Sequence, residues 1–529
     1  MSSAAVAAIS QLVATGSIDS ELTGQAQITF WRYSHYKHTA FSMENQLLQF
    51  EAGGSQTGNG QKTSLRLHRS GDLVHKLYAV VDLPGLASVT ELTAAEAQKT
   101  DAAQANQQAA GVCEVVFGSD DVAAYVQTDA TKQGTSHGMA VCGAGGANKA
   151  PFYTAAVGQY LIQEATLLIG SQPIDRVYNH YLNIWTQLSQ KPGKDLSEMI
   201  GRYSTPEVAA ARSRFFQRLF VPLEFFHTRA SGSALPIVSL QFHDVQVACT
   251  WNSIKKAICN MSPSVTYTDT DGTAVTKQFT TVVRPGQGSL NDSEYNNGCL
   301  TKFGYGSADA KSVGAEVSDS DVTVQLEAQY IYLDLQERQR FSKGSFQILI
   351  SEVQTMSTPT QITNETQQLN LTFNHAVIQL LFAVVQKKHE DSNDHFNYDG
   401  VVEKTTGIAQ NPIKEVDLRL NNQQRFYPTN GNYFRTVQCH QHQTNVPADH
   451  IMTYSFALHP ESENPSGSAN FSRVDNAQLT LKFDKAMWSD NSAHGGDDDS
   501  SNSIKVLVYA RSWNILRVTL GLAGKAFAN

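Results

Sequence analysis

Glu224, His227, Arg229, His243 and Asp244 lie in one stretch, EFFHTRASGSALPIVSLQFHD, and carry the side-chain types of an acid–base centre. A carboxylate and an imidazole could share a proton there, with the guanidinium holding an anion. Such work requires a cleft and pKa values tuned against each other, and the surrounding residues supply neither. The plainer reading is hydrogen-bonding groups buried at a strand turn or an interface. A second cluster, QCHQHQ, offers Cys439, His440 and His442. Read as a strand, it points Cys439 and His440 to opposite faces, and no carboxylate or further cysteine stands at zinc-ligand spacing. Asp497, Asp498 and Asp499 lack the alternating ligands and closing Glu of an EF-hand loop, so they read as a solvated loop. No Walker A or GxGxxG pattern is present, and GAGGA has the wrong spacing. The expectation is no catalytic residue, no cofactor and no metal.

These groups need strands to position them. The chain has 529 residues, of which 41% are hydrophobic and 17% charged. That length exceeds one ordinary core and points to two or more domains. Glu and Lys are sparse, while Thr, Val, Tyr, Phe, Asn and Gly are plentiful, which favours sheet joined by irregular loops. AQLTLKF sets Ala477, Leu479, Leu481 and Phe483 on one face at period two, as a half-buried strand requires. In LQFHDVQV the apolar parity slips at His243 and Asp244, which predicts a bulge. Similar alternation marks QITFWRY, KLYAVVDL, TLLIG, VPLEFF, TVQLEAQYIYLDL, FQILISEVQ, LNLTFNH, EVDLRLN, TYSFALH and IKVLVYA. Helices are few: SEMIGRYSTPEVAAARSRFFQRL holds one or two turns, and TAAEAQKTDAAQANQQAAG is an exposed helix or disordered chain. The expected class is all-β with long loops.

The tetrapeptide SGSA occurs twice, at 231–234 and 466–469. Chance alone supplies such words, but the surroundings repeat as well. Each half carries an early aromatic strand and then a strand leading through a polar turn into a Tyr/Asn-rich segment. An aromatic strand follows before SGSA and a longer strand after it. Each half closes on an apolar strand running into polar and basic residues, YIYLDLQERQRF and VLVYARSWNILRV. This order predicts one β-module used twice, over residues 25–341 and 342–529. The first copy is enlarged by insertions near 86–160 and 251–320 that read as surface loops, and an arm over 1–24 precedes it.

The net charge of −9 argues against a surface that coats nucleic acid, which needs excess Lys and Arg. Six cysteines without a CxxC predict free, buried thiols. No Lys or Arg precedes Arg32, so the basic region of a signal peptide is absent. The apolar run AVIQLLFAVV is half of what spans a bilayer. Five sequons occur, at Asn260, Asn291, Asn364, Asn370 and Asn470. Asn291 is the leading glycan candidate and Asn260 the next, because both fall in expected loops. Asn370 and Asn470 sit at strand motifs and are expected to be inaccessible. All five are equally well read as chance in a chain rich in Thr and Asn.

Several segments together resemble the double jelly-roll major capsid proteins of large icosahedral DNA viruses of eukaryotes. They are LTGQAQITFWR with HTAFSMEN, SGDLVHKLY, IGSQPIDRVYNHY, VPLEFFHTRASGSALPIVSLQFHDV and IYLDLQERQRF. The second half adds LNLTFNHAV, LNNQQRFY, YSFALHPESENPSGSANFSRVDNAQL and YARSWNILRVTLGLAGKAFAN. They follow the family's order along the whole chain; FWRYSHYKHTAF, more polar than usual, and the two insertions depart from it. The resemblance implies two tandem eight-stranded jelly rolls and a homotrimer whose six modules form a near-hexagonal block tiling the facets of a shell. It also implies minor capsid proteins as partners on the inner face, assembly in the host cytoplasm, and no direct nucleic-acid contact, transmembrane segment or enzymatic step. Glu337, Arg338 and Arg340 are candidate interface residues at the junction, and a solvated turn is their plainer reading. The competing classes are a carbohydrate-binding tandem jelly roll, hinted at only by NNGCLTKFGYG, and a glycoside hydrolase, which requires two opposed carboxylates.

Overall fold

The computed structural model describes residues 9–14, 16–23, 25, 37–50, 58, 60–88, 114–117, 124–127, 151–261, 265–268, 274–277, 282–283, 300–303, 319–356, 362, 364–391, 393–400, 410–484 and 503–527. Two compact units are present, Met1–Phe41 and Ser42–Asn529. In the first, helix Ser17–Thr23 is preceded by Gly16, whose N–H donates to Asp19 at 2.9 Å. Ile18 and Leu22, one turn apart on that helix, are both exposed.

Among the described residues, sixteen strands form the backbone of the four main sheets, with short strands added at the edges of the last two. Eight come first: β1 (Phe41–Gln49), β2 (Gln61–Arg66), β3 (Leu73–Leu83), β4 (Ile162–Ile169), β5 (Gln172–Tyr178), β6 (Gln217–Pro222), β7 (Val245–Trp251) and β8 (Thr323–Leu333). They pair as two four-stranded sheets in the orders β1-β8-β3-β6 and β2-β7-β4-β5. The next eight are β9 (Phe346–Thr355), β10 (Thr366–Asn370), β11 (Ala376–Gln386), β12 (Ile413–Leu420), β13 (Gln423–Gln424), β14 (Met452–Ser455), β15 (Ala477–Phe483) and β16 (Ile504–Thr519). Their sheets run β9-β16-β11-β14 and β10-β15-β12-β13, which is the first pair of orders with eight added to each number. Every registered pairing in these sheets is antiparallel. The fold is a double jelly roll, two eight-stranded sandwiches in tandem.

The SGSA repeat marks the same place in both. Each copy lies between the sixth and seventh strands of its jelly roll, and the residues at or just after its end pair with the third. Leu235 and Val74 exchange backbone hydrogen bonds of 2.8 and 2.9 Å, while Ala469 and Asn470 pair with Val377 and Ala376. A short 3-10 turn follows each, Ile237–Ser239 and Phe471–Arg473. The seventh strands β7 and β15 then alternate buried and half-buried residues identically. Only the second glycine is conformationally demanding. Gly467 has φ +141°, and a Cβ there would come within 2.9 Å of the Phe456 carbonyl, whereas one on Gly232 meets nothing within 4 Å.

The core of the second sandwich packs Leu380, Phe382 and Val384 of β11 against Leu479, Leu481 and Phe483 of β15. The intervening β11 residues, Leu381, Ala383 and Val385, belong to a different cluster that also holds Tyr181, Trp185 and Phe225 from the first half. AVIQLLFAVV is therefore apolar on both faces because the first jelly roll covers the outer one.

Several expected details change. β7 starts at Val245, so the parity slip at His243 marks the strand's entry, and the register shift on β7 falls at Thr250/Trp251. YIYLDLQERQRF leaves its strand at Leu333 and turns into a helix, α2 (Leu335–Lys343), after α1 (Asn179–Ser189) earlier in the chain. QCHQHQ is also helical: Gln438–His442 continues a π-turn over Tyr433–Val437. The stretch 86–160 is not loop throughout. Leu86, Phe152, Tyr153, Val157 and Tyr160 are buried in the core, as are Trp251, Ile254, Ile258 and Cys259 from 251–320. These flanks lack sustained alternation because they enter as short strands and single turns, with Pro151–Tyr153 pairing residues 258–260. QITFWRY and the Ala/Gln-rich segment lie outside the described residues.

Candidate functional site

The five groups of the opening stretch do not assemble into one centre. His227 is fully buried between neighbouring rings, stacked at 9° on Phe225 and edge-on to Phe226. Burial drives its pKa down to about 3, helped by His75, Lys76 and Arg229 nearby. Neither ring nitrogen has a hydrogen-bond partner, so a proton relay has nothing to pass to. Asp244 accepts ion pairs from Arg66 (2.5 Å) and Arg69 (3.3 Å). His243 Nδ1 lies 3.1 Å from the Ala523 carbonyl on the strand after β16. Glu224 contributes its backbone carbonyl, at 3.0 Å, to Arg229. These are positioning contacts.

Arg229 leads to the junction between the jelly rolls. Its guanidinium donates to Ser351 Oγ on β9 and to the Tyr181 hydroxyl at 3.2 Å on α1. Arg511 of β16, fully buried, donates to the same Ser351 Oγ at 3.2 Å and to the Pro460 carbonyl at 2.6 Å. Both guanidinium carbons lie over the Trp185 ring, at 5.2 and 4.7 Å from its centroid. Burial and the charge of Arg229 lower the Arg511 pKa to about 10. Asp449 adds an outer tie, accepting from Gln187 at 2.6 Å and from Arg202 at 3.1 Å. Tyr181 and Tyr178 meet Tyr509, with centroids 5.8 and 6.1 Å apart. Trp185, Ser351 and Arg511 did not stand out as site residues because each sits in an ordinary apolar segment. Only their convergence across the two halves gives them a role.

Glu337, Arg338 and Arg340 lie on α2, which has no buried residue. Arg338 Nε binds the buried Asp72 carboxylate at 2.9 Å, and Arg340 reaches Glu337 at 3.5 Å. Ser239 Oγ donates to the Phe341 carbonyl at 2.7 Å, so this connection is tethered to the first jelly roll on two sides. Cys439 is buried with its thiol pKa pushed up to about 11 by burial. His440 is exposed, and His442 Nδ1 lies 3.1 Å from the Leu458 carbonyl. Among the described residues no group of three or more His, Cys, Asp or Glu is placed to hold a metal ion. No helix of the described residues is long and apolar enough to cross a membrane.

Asn260 lies within the strand Ile258–Met261. Asn370 and Asn470 are exposed, contrary to the expectation that strand motifs would hide them: one ends its strand and the other lies in a two-residue strand. Asn291 and the Asp497–Asp499 run lie outside the described residues. So does GTSHG (134–138), which has the GxSxG spacing of a nucleophile elbow; that chemistry needs a strand-to-helix turn around the serine.

Exposed apolar side chains give the surface its character. On β1, Met43 and Leu47 share a face and are 56% and 52% exposed. On the helical segment after β13, Tyr433 and Val437 lie one turn apart and are 37% and 38% exposed. Among the described residues nothing covers them fully, and isolated monomers seldom expose large apolar patches.

The chain's relatives agree with this arrangement. Residues 337–524 match the family described as large eukaryotic DNA virus major capsid protein, and residues 132–334 match the major capsid protein N-terminus. The major capsid protein of Pyramimonas orientalis virus is 27% identical, with 98% of each chain covered. That of Paramecium bursaria Chlorella virus 1 is 26% identical over 98% of this chain and 99% of its own. Among solved structures, the PBCV-1 capsid protein VP54 superposes with a TM-score of 0.60 at 21% identity, covering 95% of this chain and all of its own. The Faustovirus major capsid protein gives 0.58 at 13% identity, covering 96% and 94%. With two jelly rolls of identical strand order locked together and both halves matched, the chain belongs to the major capsid proteins of large eukaryotic DNA viruses.

Proposed function

We propose that this capsid protein acts as a homotrimer, a near-hexagonal block that tiles the flat facets of an icosahedral shell and performs no catalysis. The observation that carries this is the duplication: two sandwiches of one strand order, held in one compact unit, offer six similar modules when three chains close around an axis. We assign the modules to residues 25–341 and 342–529 and place assembly in the host cytoplasm. An interface of this obligate kind buries roughly 2,000 Å² or more. The net charge of −9 supports the reading, because mutual repulsion keeps free capsomers soluble. Sedimentation of the purified chain at micromolar concentration should give a trimer, and a monomer that persists in assembly buffer would count decisively against it.

The arm over 1–24 is assigned to the inner side of the shell, in contact with minor capsid proteins. Ile18 and Leu22 support this, since an exposed apolar pair on a short helix gains stability only against a partner. Chains lacking residues 1–19 should assemble particles depleted in internal proteins. Unchanged particle yield and internal-protein content would remove the arm from this role.

A further inference from the structure

Three polar side chains meet on an otherwise apolar face of the second jelly roll. Asn514 lies on β16 opposite Ile350 of β9, and the final strand, Leu522–Lys525, pairs with β16 so that Lys525 faces Leu516. Period two therefore sets Glu352, Asn514 and Lys525 on one face of three adjoining strands, as diagonal neighbours that long side chains can bridge. Ile350, Leu516 and Ala523 share that face and belong to the core cluster common to both jelly rolls. The Glu352 side chain is 7% exposed and that of Lys525 19%, while Asn514 is 2% exposed.

Glu352 touches both of the other groups. Its Oε2 accepts from Lys525 Nζ at 2.6 Å and its Oε1 from Asn514 Nδ2 at 3.3 Å, with His375 Nε2 also 3.3 Å from Oε1. Backbone partners fix which way the amide points. The Ile515 N–H can only donate, so the atom 2.7 Å from it is Oδ1; the Phe527 carbonyl can only accept, so the atom 2.9 Å from it is Nδ2. The amide carbonyl is thus polarised by a donor, and its nitrogen lies beside a carboxylate that also holds an amine. Neutralising Lys525 requires Glu352 alone and leaves the buried amide on the same carboxylate unexplained.

We propose that these residues join: an amide bond forms between Lys525 Nζ and Asn514 Cγ, with Glu352 as the proton carrier. Glu352 takes a proton from the Lys525 ammonium. In a site shielded from water this removes two buried charges at once. The freed amine attacks Asn514 Cγ, and Glu352 passes the proton to the amide nitrogen of the tetrahedral intermediate, whose C–N bond breaks. The attacking nitrogen then loses its surplus proton through Glu352 to the departing ammonia. An ammonium group and a primary amide become a secondary amide and an ammonium ion. Glu352 ends as it began, and no oxidant or co-reactant is consumed. Fixed neighbours on three strands supply the proximity that so slow a reaction requires.

The bond gives the fold a covalent latch. A four-residue strand on a two-stranded ribbon is marginal by itself. Its hairpin nevertheless carries contacts between the jelly rolls, since the Gly521 carbonyl accepts from the Phe242 N–H at 3.1 Å and the Ala523 carbonyl lies 3.1 Å from His243 Nδ1. Fastening Lys525 to the middle of β16 holds that contact in place. The latch is a single self-modification within one chain and does not depend on the trimer.

Mass spectrometry of the full chain tests this. The parent is expected to be lighter than its sequence by one ammonia. After trypsin, residues 512–517 should remain joined to residues 518–529, because an acylated Lys525 is not cut. Glu352→Gln and Lys525→Arg should both keep their full sequence mass; the arginine retains the charge beside Glu352 and so preserves the folded site. A parent at full mass would overturn the proposal whatever the variants do. So would a parent that lacks one ammonia yet releases free 518–525, since a cyclised asparagine elsewhere loses the same mass and leaves Lys525 cleavable. A linked Glu352→Gln chain would overturn the role of Glu352.

Discussion

Trp185→Ala is expected to cost about 3–5 kcal/mol of stability, the range for deleting a large buried aromatic, and to loosen the two jelly rolls from each other. The ring is 5% exposed, stacks on Tyr181 at 18°, and lies against the guanidinium groups of Arg229 and Arg511. Such contacts contribute about 2 kcal/mol or more when desolvated. They matter here because Arg511 is fully buried and its nearest carboxylate, Glu463, is 4.0 Å away. Removing the ring leaves a cavity and exposes one buried cation to another across it. Denaturant unfolding at fixed protein concentration measures the effect, since oligomerisation shifts apparent stability. A single transition in the parent should broaden or divide in the variant as the modules lose their coupling. A loss below about 1 kcal/mol would show that the ring does not couple the two jelly rolls.

His227→Phe should stabilise the protein, and its advantage should grow on acidification. The imidazole is buried with two unpartnered nitrogens, a burden of about 1–3 kcal/mol that a phenyl ring does not carry. Its folded pKa, near 3, lies below the ordinary 6.5. The unfolded chain therefore takes up the proton first, and stability is lost as pH falls from 6.5 towards 3. Asp175 works in the opposite sense. Burial raises its carboxyl pKa to about 6, so the folded state binds the proton first and stability is recovered as pH falls from 6 to 3.8. The two slopes nearly cancel each other across that window, as do those of His180, lowered by burial to about 3, and Asp394, raised by burial to about 6. Removing His227 removes its slope and leaves the others, so the variant should gain on the parent by about 1.4 kcal/mol per pH unit between pH 6 and 4. Urea midpoints at three pH values would reveal this, and parallel curves for the two proteins would rule it out.

Local pattern carried much of the fold. Alternation in AQLTLKF and TVQLEAQYIYLDL places β15 and β8 without reference to any other part of the chain, because a sheet with one wet face imposes period two on its own strand. The two SGSA words mark equivalent connections, since the same turn chemistry serves the same crossing from sixth to seventh strand. Patterns failed where helix and strand share composition. QERQRF and QCHQHQ are polar, short and aperiodic, and whether such a run coils or extends depends on what anchors its ends. For α2 these anchors include Asp72 on Arg338 and Ser239 on the Phe341 carbonyl.

Residue types and their periods were enough to specify one β-module used twice, and the resemblance of whole segments supplied the family. Which faces of those sandwiches are covered is a different kind of fact. Phe346, Ile348 and Ile350 share one face of β9 as Met43 and Leu47 share one face of β1, yet the first set is packed and the second exposed. The distinction arises because burial depends on the partner surface that the chain's path brings opposite a strand, and period two says only which residues share a face. The same holds for Trp185, Ser351 and Arg511, which lie far apart in sequence and meet only because the second jelly roll folds its outer sheet face against the first.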